Sequence, residues 1–319
     1  MTHDLLAEQP DGPILLCAGT DPAAAARLAE AALPLLADRA AVVVSIWQPP
    51  PPIGYEAVRE ALYDDHAELR AGARHAAADA AGAACEVLDR HGLDVTRRVH
   101  GEDRAPWRIL LDIADEVDAA VIVAATTEDA EARPGTLGRE ARGLAHRSHR
   151  PLLLLTPGAP AADPGATALF AYDGSAPADH AIQAAAQLLR PRPALVASVW
   201  RSAAYTASAA MLAVPDEVAR KGAAGLDEAA RHEAEAHAQH AAAQLRDAGW
   251  SCDTAAVRTA RSIAGAIIVA AEDHDAAVIV TGTRGRSRIA AVLLGSTAEG
   301  IVRHAGLPVL LVPPTGEEH

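Results

Sequence analysis

Short apolar runs alternate with longer, alanine-rich segments along the whole chain. Apolar runs of about four to eight residues, rich in β-branched side chains, are typical of buried strands, and the longer segments are typical of helices. In one of these segments Ile182, Ala185, Ala186 and Leu189 have the i, i+3, i+4, i+7 spacing of a helix face that packs on a sheet. Strand and helix in series predict right-handed crossovers and a parallel sheet covered on both faces.

Each half of the chain has its own series of strands and helices. The strands of the first half are predicted near 13–18, 41–47, 93–99, 119–125 and 151–156. The helices between them are predicted near 22–37, 55–91, 104–116 and 138–148. In the second half the strands are predicted near 167–172, 194–200, 251–257, 276–281 and 308–312. The corresponding helices are predicted near 177–190, 216–248, 260–274 and 296–305. The fold class is therefore α/β.

The two series are an internal repeat with a period of about 155 residues. Three pairs of segments correspond, 117–123 with 274–280, 150–155 with 307–312, and 13–17 with 167–171. We therefore predict one domain in two copies, at 1–157 and 167–319, joined by a Pro/Gly-rich linker at 158–166.

Composition narrows the classes of partner. The chain of 319 residues has a formal net charge of -14, which argues against nucleic acid or an anionic membrane as the partner. No apolar run reaches the roughly 18 residues of a membrane helix, and no basic region followed by an apolar core marks a secretory signal. Cys17, Cys85 and Cys252 form no CxxC pair and fit a reducing compartment. We expect a cytoplasmic protein.

The most informative stretch is Gly282-Thr-Arg-Gly285, followed after nine residues by Gly295. It comes directly after the apolar run 276–280, so these glycines are expected where the backbone leaves the carboxyl end of a strand. Open α/β sheets bind their ligands at that edge. Glycine lets the backbone adopt positive φ and approach a ligand closely.

A helix is predicted to begin at Ser296. Ser296 and Glu299 have the Ser-x-x-Glu spacing of a capping box, and the start of a helix offers N–H groups and a positive dipole end to an anion. Three arginines, Arg284, Arg286 and Arg288, add positive charge. The pattern predicts a phosphate cradle. The alternative is an ordinary turn after the strand, with Ser296 as a helix cap only.

The pattern Gly-x-x-Gly-x9-Gly-Ser resembles the ATP-binding signature of the universal stress protein family, and residues 308–313 resemble that family's last strand. The resemblance covers nearly the whole chain as two copies and is sharper in the second. It implies two tandem Rossmann-like, doubly wound, five-stranded parallel sheets. It also implies that the second domain binds ATP together with a divalent cation, Mg²⁺ or Mn²⁺. The residues that would bind the cation are not identified by the sequence.

The same resemblance assigns the nucleoside end of the site. Asp173, after the first strand of the second copy, matches the family's conserved aspartate, and Val199 matches a position that meets adenine through its main chain. Asp173 could instead form an Asx turn with Ser175 as the helix cap, and both interpretations stay open. The predicted ATP site comprises Asp173, Val199, Gly282, Arg284, Gly285, Gly295, Ser296 and Thr297.

The first copy lacks this signature. In the ungapped alignment Gly282 corresponds to Ala125, Arg284 to Thr127, Gly285 to Glu128 and Ser296 to Arg139, whereas Gly295 is kept as Gly138. The position of Asp173 is occupied by Gly19. Carboxylates at 128, 129 and 131 would repel a polyphosphate, and a side chain at 125 or 128 would obstruct the backbone approach. We predict one ATP per chain, in the second copy.

Two further groups of residues have less specific patterns. His232, His237 and His240 lie on a polar predicted helix without the His-Glu-x-x-His order of zinc hydrolases, which favours a solvated helix over a metal site. Trp47 and Trp200 occupy corresponding strand ends and are predicted to be core or pocket wall.

The sequence contains no recognisable catalytic set. Neither a Gly-x-x-x-x-Gly-Lys-Ser/Thr loop nor a Gly-x-Ser-x-Gly elbow is present. We therefore expect an ATP-binding regulator or sensor of the stress response. The alternatives are a weak ATPase or autophosphorylating enzyme, for example on Ser296, and a structural protein without nucleotide. The resemblance implies that the two copies pair as an intramolecular pseudo-dimer, and it leaves a homodimer possible.

Overall fold

The structure is a computed structural model that describes residues 12–48, 63–127, 137–158, 161–202, 216–285 and 294–314. Along the chain it divides into two compact units, with the main boundary between Ala161 and Ala162. Among the described residues, no helix is both long enough and apolar enough to cross a bilayer.

The first unit alternates strands and helices. Its elements are β1 Ile14–Cys17, α1 Pro22–Ala32, β2 Ala41–Trp47, α2 Tyr63–Arg90, β3 Val95–Gly101, α3 Pro106–Glu116, β4 Val121–Ala125, α4 Arg139–Arg147 and β5 Leu152–Leu155. The strands run parallel in the order β3-β2-β1-β4-β5. Part of the predicted helix at 55–91, residues 55–62, lies outside the described residues.

The second unit repeats this arrangement. Its elements are β6 Thr167–Ala171, α5 Ala176–Leu188, β7 Ala194–Arg201, α6 Asp216–Asp247, β8 Cys252–Thr259, α7 Ile263–Asp273, β9 Ala276–Gly282, α8 Ser296–His304 and β10 Val309–Val312. The parallel order is β8-β7-β6-β9-β10. Both units are therefore doubly wound α/β sheets, and the predicted fold class is confirmed. The chain reverses its winding direction between β6 and β9, the point at which such sheets bind ligands.

The pairing register is the same in both units. Ile14 lies opposite Ala41 and Val121, and Ala168 lies opposite Ala194 and Val278. Counting along the strands from these pairs places Gly19 at the position of Asp173 and Ala125 at that of Gly282. The correspondence between the copies therefore holds at the strand ends, where a ligand would lie.

Caps and core contacts explain where the elements begin. Asp21 accepts a hydrogen bond from the Ala23 N–H at 2.9 Å before α1, and Ser262 caps α7. Because Ser262 is the cap, α7 begins at Ile263, three residues later than the pattern suggested. Phe170 at the centre of the second sheet is 1% exposed and packs edge-on against Trp250, with ring centroids 5.6 Å apart.

Candidate functional site

A cavity of about 450 Å³ lies in the second unit at the carboxyl ends of β6, β7 and β9. This volume is within the range of roughly 300–1,000 Å³ typical of small-ligand sites. All eight residues of the predicted ATP site line it: Asp173, Val199, Gly282, Arg284, Gly285, Gly295, Ser296 and Thr297. Residues that are more than 120 positions apart in the sequence are thus brought together at the switch point of the sheet.

Asp173 contacts two different parts of the site. Its Oδ1 accepts hydrogen bonds from the Ser175 N–H at 3.1 Å and the Ser175 hydroxyl at 2.6 Å, so the Asx turn is formed. Ser175 in turn caps α5. The other oxygen faces the glycine loop, because a Cβ added at Gly285 would lie 2.6 Å from Oδ2. The structural interpretation of Asp173 is therefore confirmed for one oxygen, and the other is directed into the site.

Gly282, the last residue of β9, and Gly285 allow the loop after β9 to pack closely on its surroundings. We expected positive φ at Gly282 and Gly285, and neither residue has it. An added Cβ at Gly282 would lie 3.0 Å from the Arg284 carbonyl oxygen, and one at Gly285 would collide with the Asp173 carboxylate. A side chain at either position would therefore fill space that the loop and the carboxylate now occupy.

The predicted capping box is wrong, although α8 does begin at Ser296. The N-cap is Gly295, which has no side chain to accept from the first turn of the helix. Glu299 instead accepts a hydrogen bond from Arg303 at 2.9 Å, one turn further along. Gly295 donates its N–H to the Thr283 carbonyl at 2.7 Å, which closes the loop between β9 and α8. The N–H groups of Ser296 and Thr297 lie in the first turn, where a helix has no internal acceptors.

Arg284 places a cation in the wall of the cavity. Its side chain is half-buried, and its Nε is buried with no hydrogen-bond partner among the described residues. A buried guanidinium nitrogen without an acceptor is costly, and an anionic ligand would supply one. The two other arginines of the predicted cradle, Arg286 and Arg288, lie outside the described residues.

Val199 presents its main chain to the cavity. The Ala197 carbonyl accepts from the Tyr172 N–H at 3.0 Å, so the odd-numbered residues of β7 direct their backbone groups toward β6. β6 pairs with β7 only as far as Ala197. Two residues later, the N–H and C=O of Val199 therefore point past the end of β6 into the cavity.

Helix α6 contributes four lining residues that the sequence analysis did not assign to the site: Ala230, Glu233, Ala234 and His237. The His237 side chain is 27% exposed, whereas those of His232 and His240 are 61% and 62% exposed. A Cβ added at Gly174, where φ is +77°, would lie 2.5 Å from His237 Nε2. His232 and His240 are therefore solvated, as the sequence analysis expected, whereas His237 is half-buried and lines the cavity.

The two equivalent tryptophans have different surroundings. Trp200 lines the cavity, which confirms the prediction of a pocket wall, and the Arg258 guanidinium lies 5.6 Å from the centre of its ring. Arg258 also donates to Asp227 of α6 at 3.2 Å. In the first unit the position of Arg258 is Gly101, and the Trp47 ring packs directly against it.

A hydrogen-bonded group supports α5 behind the cavity. The Tyr172 hydroxyl donates to Asp179 Oδ1 at 2.6 Å, and Gln244 Nε2 donates to the same oxygen at 2.8 Å. Burial raises the pKa of Tyr172 most, and the hydrogen bond to Asp179 raises it further, so the phenol stays protonated at neutral pH. Among the described residues, no group of three or more His, Cys, Asp or Glu side chains is placed to hold a metal ion.

Comparison with known families now bears on the identity of the protein. The model described as the universal stress protein family matches residues 12–156 and again residues 166–313. The chain belongs to this family. It is a tandem member, since each compact unit carries its own match.

Solved structures agree on the fold of this universal stress protein. A universal stress protein from Archaeoglobus fulgidus DSM 4304 matches with a TM-score of 0.57 and 14% identity, over 95% of this chain and 97% of that one. A protein of unknown function from Pseudomonas aeruginosa PAO1 matches with a TM-score of 0.53 and 14% identity, over 96% and 94%. Comparison with curated proteins finds no match. The tandem architecture therefore extends over almost the full length of both solved proteins.

Proposed function

We propose that the second unit of this universal stress protein binds one ATP, together with Mg²⁺ or Mn²⁺, and that the protein acts as a cytoplasmic regulator or sensor of stress. The observation that carries the proposal is the convergence of all eight predicted residues on one cavity at the switch point of the sheet. Topology brings the strand-end residues to one edge, and the cavity between them has the volume of a small-ligand site, which supports the proposal.

The phosphates would lie between the loop after β9 and the start of α8. The N–H groups of Ser296 and Thr297, the positive end of the helix dipole and the Arg284 guanidinium all favour an anion there. Because the N-cap is a glycine, it has no side chain that would compete with a ligand for these N–H groups. A divalent cation would be held chiefly through phosphate oxygens, as is usual for Mg²⁺.

The nucleoside would lie between β6 and β7. Asp173 Oδ2 faces this end of the cavity and can accept hydrogen bonds from ribose hydroxyls, and the Val199 backbone offers one donor and one acceptor to a base edge. His237 and Trp200 also line this cavity. Bound ATP would carry the negative charge that these groups recognise, and the protein would hold the nucleotide in one orientation.

Calorimetric titration of ATP with Mg²⁺ into wild-type protein and Gly285→Glu protein tests this assignment. We expect a stoichiometry near one per chain for the wild type and a loss of affinity of at least ~100-fold, about 2.7 kcal/mol, in the variant. The added side chain would collide with Asp173 and bring a second carboxylate toward the triphosphate.

Gly222→Glu is the matched control. Gly222 lies on α6 with no atom within 4 Å of an added Cβ, so the same change in charge and size should leave the affinity as it is. Two equal sites per chain, wild-type affinity in Gly285→Glu, or no heat of binding in the wild type would each overturn the proposal.

A further inference from the structure

The first unit contains a cleft of about 480 Å³ that corresponds only in part to the ATP cavity of the second unit. The cavity of the second unit follows the ends of β6, β7 and β9 and reaches α6. The cleft of the first unit shares the ends of the equivalent strands β1 and β4 and the start of α4, at Gly19, Ala125 and Gly138, but it extends along the end of β5 and along α1. Loss of the ATP signature has therefore not left a closed domain. The opening that remains is displaced toward β5 and α1.

Helix α1 shows how this opening arises. Ala24, Leu28 and Ala31 are spaced i, i+4, i+7 on one face and line the cleft. The equivalent residues of α5, Ala178, Ile182 and Ala185, are only 5%, 2% and 0% exposed, and of these three Ala178 alone lines the ATP cavity. Ala24 and Ala31, in contrast, are half-buried. The same helix face that contacts the sheet in one copy is therefore partly turned to a cleft in the other.

Trp107 provides a further apolar wall of the cleft. It stands at the first turn of α3, where the second unit has the small residue Ala264, and its ring packs against Gly143 of α4. The indole is half-buried and lines the cleft. An aromatic ring gives a ligand a large and rigid apolar surface.

The chemistry of the cleft does not suit a polyphosphate. Gly19 stands in place of the nucleoside-binding carboxylate, and among the described residues of the walls the charges balance, with Arg27 and Arg139 against Asp21 and Glu140. Cys17 lies at the inner end, and burial, together with the Glu140 carboxylate, raises the pKa of its thiol. A protonated, buried thiol behaves as a small apolar group and not as a nucleophile.

We propose that the first unit is a second ligand site, which takes an uncharged small molecule with an aromatic or aliphatic body between α1 and Trp107. The volume is that of a small-ligand site, and Leu28, Leu155 and Trp107 supply the apolar walls that such a ligand needs. The protein would then combine a nucleotide site and an apolar-ligand site on two copies of one fold. This proposal does not depend on ATP binding.

Titration of the full chain with the uncharged dye Nile red, followed by its emission, tests the site. We expect saturable binding near one dye per chain that excess ATP with Mg²⁺ does not displace. Ala31→Phe fills the cleft and should weaken dye binding at least ~10-fold. Ala230→Phe, the matched change at a half-buried alanine in the wall of the ATP cavity, should leave dye binding unchanged.

Ala24→Leu is a milder second variant, in case the larger ring prevents folding, and circular dichroism verifies that each variant is folded. Weaker dye binding in either folded cleft variant, with Ala230→Phe as wild type, supports the proposal. Non-saturable dye binding, displacement of the dye by ATP, loss of dye binding in Ala230→Phe, or wild-type binding in folded Ala24→Leu would each overturn it.

Discussion

Replacing Asp173 with asparagine and with alanine separates the two roles that its carboxylate has in the structure. Oδ1 accepts two hydrogen bonds from Ser175 and holds the turn before α5, whereas Oδ2 faces Gly285 and the cavity. Asparagine keeps one acceptor oxygen for Ser175 and replaces the other oxygen with an amide. Alanine removes both.

The magnitudes follow from these contacts. Hydrogen bonds to a charged acceptor are worth about 1.5–3 kcal/mol and neutral ones about 0.5–1.5 kcal/mol. Because Asp173 is only half-buried, we expect Asp173→Ala to lower the free energy of unfolding by about 1–2 kcal/mol. Asp173→Asn should cost less than about 1 kcal/mol of stability. If Oδ2 accepts from the nucleoside, the same asparagine should weaken ATP binding by about 1 kcal/mol, roughly fivefold.

Two measurements decide between the roles. Urea unfolding without nucleotide gives the stability of each variant, and calorimetric titration of ATP with Mg²⁺ gives the affinity. Wild-type affinity in a stably folded Asp173→Asn protein would show that Asp173 serves the turn alone, and our assignment of the nucleoside end would then fail.

Two further predictions concern the second unit. Phe170→Ala should lower the free energy of unfolding of this unit by about 3–5 kcal/mol, because the ring is 1% exposed and packs on Trp250. Tryptophan fluorescence during urea unfolding measures this free energy. A stability within about 1 kcal/mol of wild type would contradict the prediction. Burial lowers the pKa of His180, so below about pH 6.5 the unfolded chain takes up a proton that the folded chain does not, and stability should fall as the pH decreases through that range. His180→Gln should flatten this fall in urea titrations, and an unchanged slope would refute the assignment.

Local pattern was sufficient to predict most of the fold. The strand at 41–47 was predicted with its observed bounds, and β4 and β9 lie within two residues of their predicted ranges, because buried parallel strands are continuous apolar runs with sharp polar borders. Boundaries set by a single hydrogen bond were harder. The Ser-x-x-Glu spacing at Ser296 suggested a capping box, but the backbone bond from Gly295 to Thr283 moved the cap one residue earlier.

The candidate site could be predicted where its residues follow strands, and not where they come from a helix face. Gly282, Asp173 and Val199 are at or near the ends of apolar runs, so topology alone brings them to one edge. His237 comes from the middle of a long polar helix. Its partial burial depends on the angle at which α6 crosses the sheet and on the space above Gly174, and neither is visible in a periodic pattern.

The backbone hydrogen bond that closes the loop after β9 has a consequence for redesign. Thr283 and Gly295 form this bond in the second unit, and Thr126 and Gly138 form the same bond in the first, at 2.7 and 2.8 Å. Since no side chain takes part and the enclosed segments have equal length, one segment can be grafted onto the anchors of the other without altering its closure. A chimaera that carries residues 284–294 in place of residues 127–137 would therefore show whether phosphate recognition is a transferable property of this segment or depends on the rest of the domain.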